Sequence, residues 1–309
     1  MIEDLTDVLR EQAREQGRLI LGVAPWAEIE HRLTLLLVEP PAVPWAGVSA
    51  TAVLWLITDG AAARTLPDGQ REPLLGDGVL RLPAHATGAA AGAAGAAGAA
   101  GAAGAAGAAG AAGAAGAAGA GAIDFTAFTL ERIEGALAGV GRRSLELRWS
   151  MRRAEPLHDP LRRHDQLAAA AARIPEDSFD RIMRPLYLQA YESLRMLEAV
   201  LAAGQYDNAT VAAGEAAGAL TRIACVLEEG IHPPARWLLP AARETDLGGR
   251  IASWLDDLPA AASGDEAAAR RVRDGCDAVL RAATSALHPR FGSADWLLSP
   301  EASTLWRAR

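Results

Sequence analysis

The chain has no lysine: all 30 of its basic residues are arginine. That excludes Schiff-base chemistry and a lysine-dependent phosphate loop, whatever its glycines suggest. Cysteine is nearly as scarce. Cys225 and Cys276 are the only two, each within an apolar run of helical period. Two reduced core thiols are expected, rather than a disulfide or a metal site. A surplus of positive charge is also missing, since the formal net charge is −8. This argues against nucleic acid as a partner, because phosphate contacts need a basic face. The N-terminal MIEDLTDVLREQ has neither a basic region nor an apolar core, so no secretory signal is read and a cytoplasmic location is expected. The longest apolar window, Leu33–Ile57, has Glu39 as its only charge. It could span a bilayer by length, but Pro40, Pro41 and Pro44 favour two strands around a turn, so no membrane partner is expected.

What is present is enough for two domains, with 309 residues of which 50% are hydrophobic. Residues 88–122 are only Gly and Ala. Glycine at every third place suggests collagen, but proline is absent, and each Gly would cost a helix about 0.8–1 kcal/mol relative to Ala. A flexible, uncharged linker or expanded surface loop is expected. Before the tract, the spacing predicts a helix over Ile2–Gly17 and a short one over Trp26–Arg32. Strands follow at Leu33–Val38, Thr51–Thr58 and Val79–Leu82, with a fourth at Ile123–Thr129. Beyond Glu131 the pattern is helical, including a run capped by Asp177-Ser178 and others over Val211–Leu227, Ala241–Leu258 and Asp265–Leu287. Leu145–Met151 reads as strand or helix. The expected organisation is α+β: a small mixed-sheet domain over 1–140, interrupted at 88–122, then an antiparallel helical bundle over 141–309.

Two segments carry a family resemblance. RWSMRRAEPLHDP, residues 148–160, resembles the segment that enters the bundle of the aminoglycoside-type nucleotidyltransferases of the DNA-polymerase-β-like fold. LEEGIHPPARWLLPAARETDLGGRIASWLDDLP, residues 227–259, is similar to that family's Asn-x-x-Tyr-x-Pro-x-x-Lys-Trp-Leu segment: Pro234, Arg236, Trp237 and Leu238 match, while the Asn, Tyr and Lys are replaced. The resemblance implies a nucleotidyltransferase-like fold. It also implies a Gly-Ser turn for a triphosphate, two strand carboxylates for Mg²⁺ and a third carboxylate on a later strand. In VSATAVLWLITDG, residues 48–60, Ser49 precedes the strand but the paired carboxylates are Ala50 and Ala52; a shift of one residue offers Thr51 and Val53. Glu39-Pro40 replaces Gly-Ser. Asp124 stands where the later carboxylate would fall, either a relic metal ligand or a polar residue at a strand start or edge.

Other candidates are weighed beside it. Arg148 and Arg152, with Arg142, Arg143 and Arg153, could bind an anion or form a solvated basic face. HDPLRRHD, residues 158–165, repeats His-Asp, but six residues do not align two ligands on one helical face; Asp159 remains a candidate from the resemblance. His232, Arg236 and Trp237, with Tyr187 and Tyr191, could line a cavity with an aromatic floor, or pack as core. No metal ligand set is assigned. Three functions are open. The first is a degenerate nucleotidyltransferase-like pseudoenzyme binding a small molecule, nucleotide or partner, the small molecule in an interdomain cleft. The second is an active transferase using Mg²⁺ and a nucleoside triphosphate, with Glu39, Asp59 and Asp124 as carboxylates. The third is a helical interaction module that forms an oligomer.

Overall fold

A computed structural model of the chain describes residues 2–39, 51–76, 80–82 and 122–305. The Gly/Ala tract as far as Gly121, the proline turn after Glu39, and Trp45, Ser49 and Ala50 lie outside the described residues. The chain is α+β and forms two compact units, Met1–Gly135 with Arg153–Leu167, and Ala136–Arg152 with Ala168–Arg309. Rather than parting once at residue 140, it passes between them three times.

In the first unit, helix α1 (Ile2–Leu21) turns Leu9, Ala13, Ile20 and Leu21 inward. Gly17, expected as a stop, lies within the helix. A Cβ there would sit 2.5 Å from Leu35 Cδ2, so glycine lets the helix approach the sheet. After a short 3-10 helix, Trp26–Arg32, come strands β1 (Leu33–Glu39) and β2 (Thr51–Thr58). The chain continues through α2 (Gly60–Ala63), α3 (Asp68–Leu75), β3 (Leu80–Leu82), β4 (Ala122–Thr129) and α4 (Leu130–Leu137). Then α5 (Arg142–Arg153), which the sequence left as strand or helix, precedes β5 (Glu155–His158) and α6 (Arg163–Ala172). The five-stranded sheet has the order β3-β4-β2-β1-β5. Only β2 and β4 are parallel among these pairs; the other neighbours are antiparallel.

Alternation decides what each face carries. Leu33, Leu35, Leu37, Ala52, Leu54, Leu56, Phe125 and Ala127 point to one face and form a core with Ala13, Ile20 and Leu21 of α1. At roughly 1.5–3 kcal/mol for each large side chain fully buried, this layer is the main stabilising element of the unit. Trp55 and Phe128 meet edge to face on the other side of the sheet, their ring centres 5.4 Å apart.

The second unit holds α5 and the helices after α6: α7 (Ser178–Ala202), α8 (Tyr206–Glu229), α9 (Ala235–Arg243), α10 (Asp246–Leu255), α11 (Leu258–Ala262), α12 (Glu266–Phe291), α13 (Asp295–Leu298) and α14 (Pro300–Leu305). Gly204 and Gly230 take φ of 70° and 75°, left-handed values that glycine adopts without a Cβ clash, and they close α7 and α8. Asp177 precedes α7 but makes no side-chain cap bond. Alanines 212, 213, 216, 217, 219 and 224 of α8 are buried, and their small side chains let neighbouring helices pack close. The stretch 208–229 is long and apolar enough to cross a membrane, but most of it is covered, with α7, α9, α10, α11 and α12 packed against it. The helix expected over Ala241–Leu258 is divided. Thr245 starts α10 by accepting from the Gly248 amide at 3.0 Å, and a Cβ on Gly248 would overlap the Ala242 carbonyl. Helix α12 runs past His288-Pro289 to Phe291, whose ring stacks on Phe179 at 5.8 Å.

Candidate functional site

The strand positions implied by the resemblance divide between the two sheet faces. Ala52 is fully buried in the core with α1, so a side chain there faces apolar packing. Val53 lies on the other face, opposite Asp124 in the parallel register of β2 and β4. Asp124 is exposed and lies near the start of β4, one residue before the described pairing with β3 begins at Phe125. Among the described residues, no three His, Cys, Asp or Glu side chains gather where they could hold a metal ion.

Asp59 and Asp159 are instead joints of the fold. The Asp59 carboxylate caps α2 by accepting from the Ala62 amide at 2.8 Å. It also receives Arg163 at 2.6 Å and Arg32 at 2.5 and 3.1 Å. Burial alone would raise this carboxyl, but the amide and the two guanidinium groups outweigh it and bring it down to about 2. Asp159 accepts from the amides of Arg163 and His164 at 2.9 and 2.8 Å and from the Thr34 hydroxyl at 2.9 Å. The HDPLRRHD segment therefore starts a helix and ties it to β1. Both carboxylates are thus engaged in contacts that hold the sheet unit together. Glu39 is buried at the end of β1.

Arg148 likewise turns inward. It is 3% exposed, and its guanidinium donates to the carbonyls of Ala170, Ala171 and Arg173 at 2.9, 3.1 and 2.8 Å and to that of Leu137. These carbonyls close the ends of α6 and α4, where unpaired acceptors and the negative end of the helix dipole favour a cation. The two terminal nitrogens of Arg148 are engaged with backbone carbonyls, while Nε is buried without a hydrogen-bond partner among the described residues. Arg152, one turn on, is exposed.

The proposed aromatic cluster is distributed. Tyr187 is buried, bonded through its hydroxyl to Thr284 at 2.8 Å and edge to face with Trp296 at 5.5 Å. Tyr191 donates to Glu301 at 3.4 Å. Trp237 is buried in α9 beside the exposed Arg236. None of these four lines the cavity to which His232 belongs.

That cavity, about 270 Å³, lies within the helical unit among α5, α7 and α8. Arg142, Arg181, Arg222 and His232 line it. Leu145 and Ile182 supply a buried apolar floor, and Leu186 is half-buried beside them. Arg222 is the only charged residue between Ala216 and Leu227. One of its terminal nitrogens donates to the Gly218 carbonyl at 2.9 Å, while Nε is buried without a hydrogen-bond partner among the described residues. Gly218 leaves the space for the guanidinium, because a Cβ there would lie 3.3 Å from it. Burial, and then the charge of Arg142, push the Arg222 pKa down, against the opposing pull of the Glu146 carboxylate. Arg142 is paired with Glu146 at 2.8 Å. His232 is 1% exposed, and its Nδ1 donates to the Pro233 carbonyl at 3.0 Å, leaving Nε2 as an acceptor in the neutral ring. Burial, with Arg222 and Arg142 adding to it, holds the imidazole below its ordinary pKa. Arg142 and His232 were singled out in the sequence. Arg181, Arg222 and Gln189 were not, although an isolated arginine in an apolar helix was a readable signal.

A second cavity, about 340 Å³, lies in the sheet unit and is lined by Arg14, Arg18, Glu30, Glu155 and His158 among others. Its charges compensate each other: Arg14 pairs with Glu155 at 2.6 Å, and His158 lies 4.0 Å from Glu30. The helical cavity keeps a cationic excess and the sheet cavity does not. Both cysteines are buried thiols, and burial pushes Cys276 up to about 12.

No protein-family model matches the chain, and no curated protein matches it. Among solved structures it is similar to a nucleotidyltransferase-like protein from Exiguobacterium sibiricum 255-15, with a TM-score of 0.42 and 12% identity, covering 86% of this chain and 75% of that one.

Proposed function

We propose that the chain is a degenerate nucleotidyltransferase-like protein, a binding protein that does not carry out metal-assisted nucleotidyl transfer. One observation carries this reading. Of the two registers in which paired carboxylates could be sought on β2, one places Ala52 in the apolar core and the other places Val53 beside Asp124. Two Mg²⁺ ions against a triphosphate need several carboxylate oxygens converging within about 2.1 Å of each ion. Alanine and valine provide none, and Asp59, the next acidic residue along, is held by two arginines.

The test uses the full chain. Radiolabelled ATP with Mg²⁺ and a panel of small hydroxyl- and amine-bearing acceptors should give no labelled product, and ATP binding should be indifferent to Mg²⁺. Transfer that disappears in Asp124→Ala, or tight ATP binding that depends on Mg²⁺, would refute the reading.

A further inference from the structure

We propose that the cavity among α5, α7 and α8 binds a compact organic anion, whose phosphate or carboxylate is held by Arg222 and Arg181 and whose apolar body rests on Ile182 and Leu186. The proposal extends the binding half of the functional reading and does not depend on the loss of catalysis.

Three observations lead to it. Arg222 is a cation placed among apolar neighbours with one hydrogen bond to its own helix and a buried, unpartnered Nε. Arg222 is half-buried, and the nearby Glu146 carboxylate is already paired with Arg142, so an anion would offset the cost of covering its guanidinium. Arg181 lies at the rim of the same cavity, is exposed, and has no ion-pair or hydrogen-bond partner among the described residues. A planar guanidinium meets carboxylate or phosphate oxygens two at a time, which lysine cannot do. Of the three arginines lining the cavity, Arg142 alone has a carboxylate partner, Glu146. A cationic excess therefore remains.

The size sets the class of ligand. A volume near 270 Å³ falls just below the range of about 300–1,000 Å³ typical of sites for drug-sized molecules. A nucleoside triphosphate is too large, while a single charged group on a small ring or short chain fits. The floor argues against a bare inorganic ion, because Leu145 and Ile182 are apolar and buried. The neutral His232 ring adds one acceptor, suited to a hydroxyl on the ligand.

Isothermal titration of the full chain with phenyl phosphate and with benzoate tests the site, with phenol as the uncharged match. At least one charged probe should saturate with a Kd below about 1 mM, and phenol should bind far more weakly. Arg181→Ala and Arg222→Met should each weaken the charged probe by about tenfold or more, while Arg195→Ala, away from the cavity, should leave it unchanged. Arg222→Met also reads stability. An arginine kept for a ligand should be replaceable by an apolar side chain with no loss of urea midpoint. Equal binding of phenol, unchanged binding in either cavity variant, or no binding of both charged probes at about 10 mM would overturn the proposal. Failure here beside an inactive transfer assay rejects this site and leaves the loss of catalysis standing. Transfer activity beside phosphate binding would do the reverse.

Discussion

Replacing Arg148 with Met should destabilise the helical unit without touching any ligand. Four backbone carbonyls, those of Leu137, Ala170, Ala171 and Arg173, accept from this one guanidinium. Each bond to a charged donor contributes about 1.5–3 kcal/mol, and a buried carbonyl left without a donor costs about 1–3 kcal/mol. The contributions are not additive, and removing the cation recovers part of its desolvation cost, which is why burial lowers the Arg148 pKa. A net loss of about 3–5 kcal/mol follows. Arg148→Lys keeps the charge, but an ammonium has three donors and no planar fork to span two helix ends, so about 2–4 kcal/mol should still be lost. Urea denaturation followed by far-ultraviolet circular dichroism measures this as a lower midpoint at unchanged slope. Arg152→Met, one turn away and exposed, should stay within about 0.5 kcal/mol. If Arg148→Met also stayed within about 1 kcal/mol, the carbonyl clamp would be the wrong account and a ligand role for Arg148 would reopen.

Other outcomes follow from the same coordinates. The Asp59 carboxyl is lowered from 3.8 to about 2, so its contribution is present above pH 4 and lost as pH falls through 2. Partly screened, that contribution is about 1–2 kcal/mol, and acid titration of stability should show it in the natural chain and not in Asp59→Asn. Gly275→Ala should lower stability by about 1–3 kcal/mol, since its Cβ would overlap the Trp254 ring. Gly214→Ala meets nothing within 4 Å in the interior of α8 and should raise stability by about 0.5–1 kcal/mol; thermal melts compare the two. Cys276, buried with its pKa pushed up to about 12, should resist iodoacetamide at pH 8 until the chain is unfolded, as mass spectrometry of labelled peptides would read.

The α+β class and most elements were legible because their signals are local. Apolar runs bounded by Pro and Gly marked β1, β2 and β4, and helical periodicity marked α7, α8 and α12. Errors arose where a local signal served a distant contact. Gly17 reads as a helix stop but is a point of approach to Leu35. Strand β5 contains Pro156 and Glu155, a poor strand by composition, and is tolerated because it lies at the sheet edge. The division of Ala241–Leu258 depends on a close approach of Gly248 to Ala242 that no periodicity reveals. The candidate site was harder still. Its four cationic or titratable residues come from four stretches of sequence, and which arginine is buried against carbonyls and which opens into a cavity is decided by packing. Arg148 and Arg222 look alike in sequence, and each keeps a buried Nε without a partner among the described residues, but Arg148 reaches four backbone carbonyls while Arg222 reaches that of Gly218 and lines the cavity.

The fifth strand has a practical consequence for anyone dissecting the molecule. Strand β1 is covered on both faces and hydrogen-bonded on one side to Glu155–His158, residues that follow α5. A fragment ending at residue 140 would strip that side bare, leaving a row of unsatisfied amides and carbonyls on an apolar ribbon and removing the anchors Asp159 and Arg163 from the same stroke of chain. Such a fragment should self-associate through β1, and a workable cut has to return the segment 153–167 to the sheet.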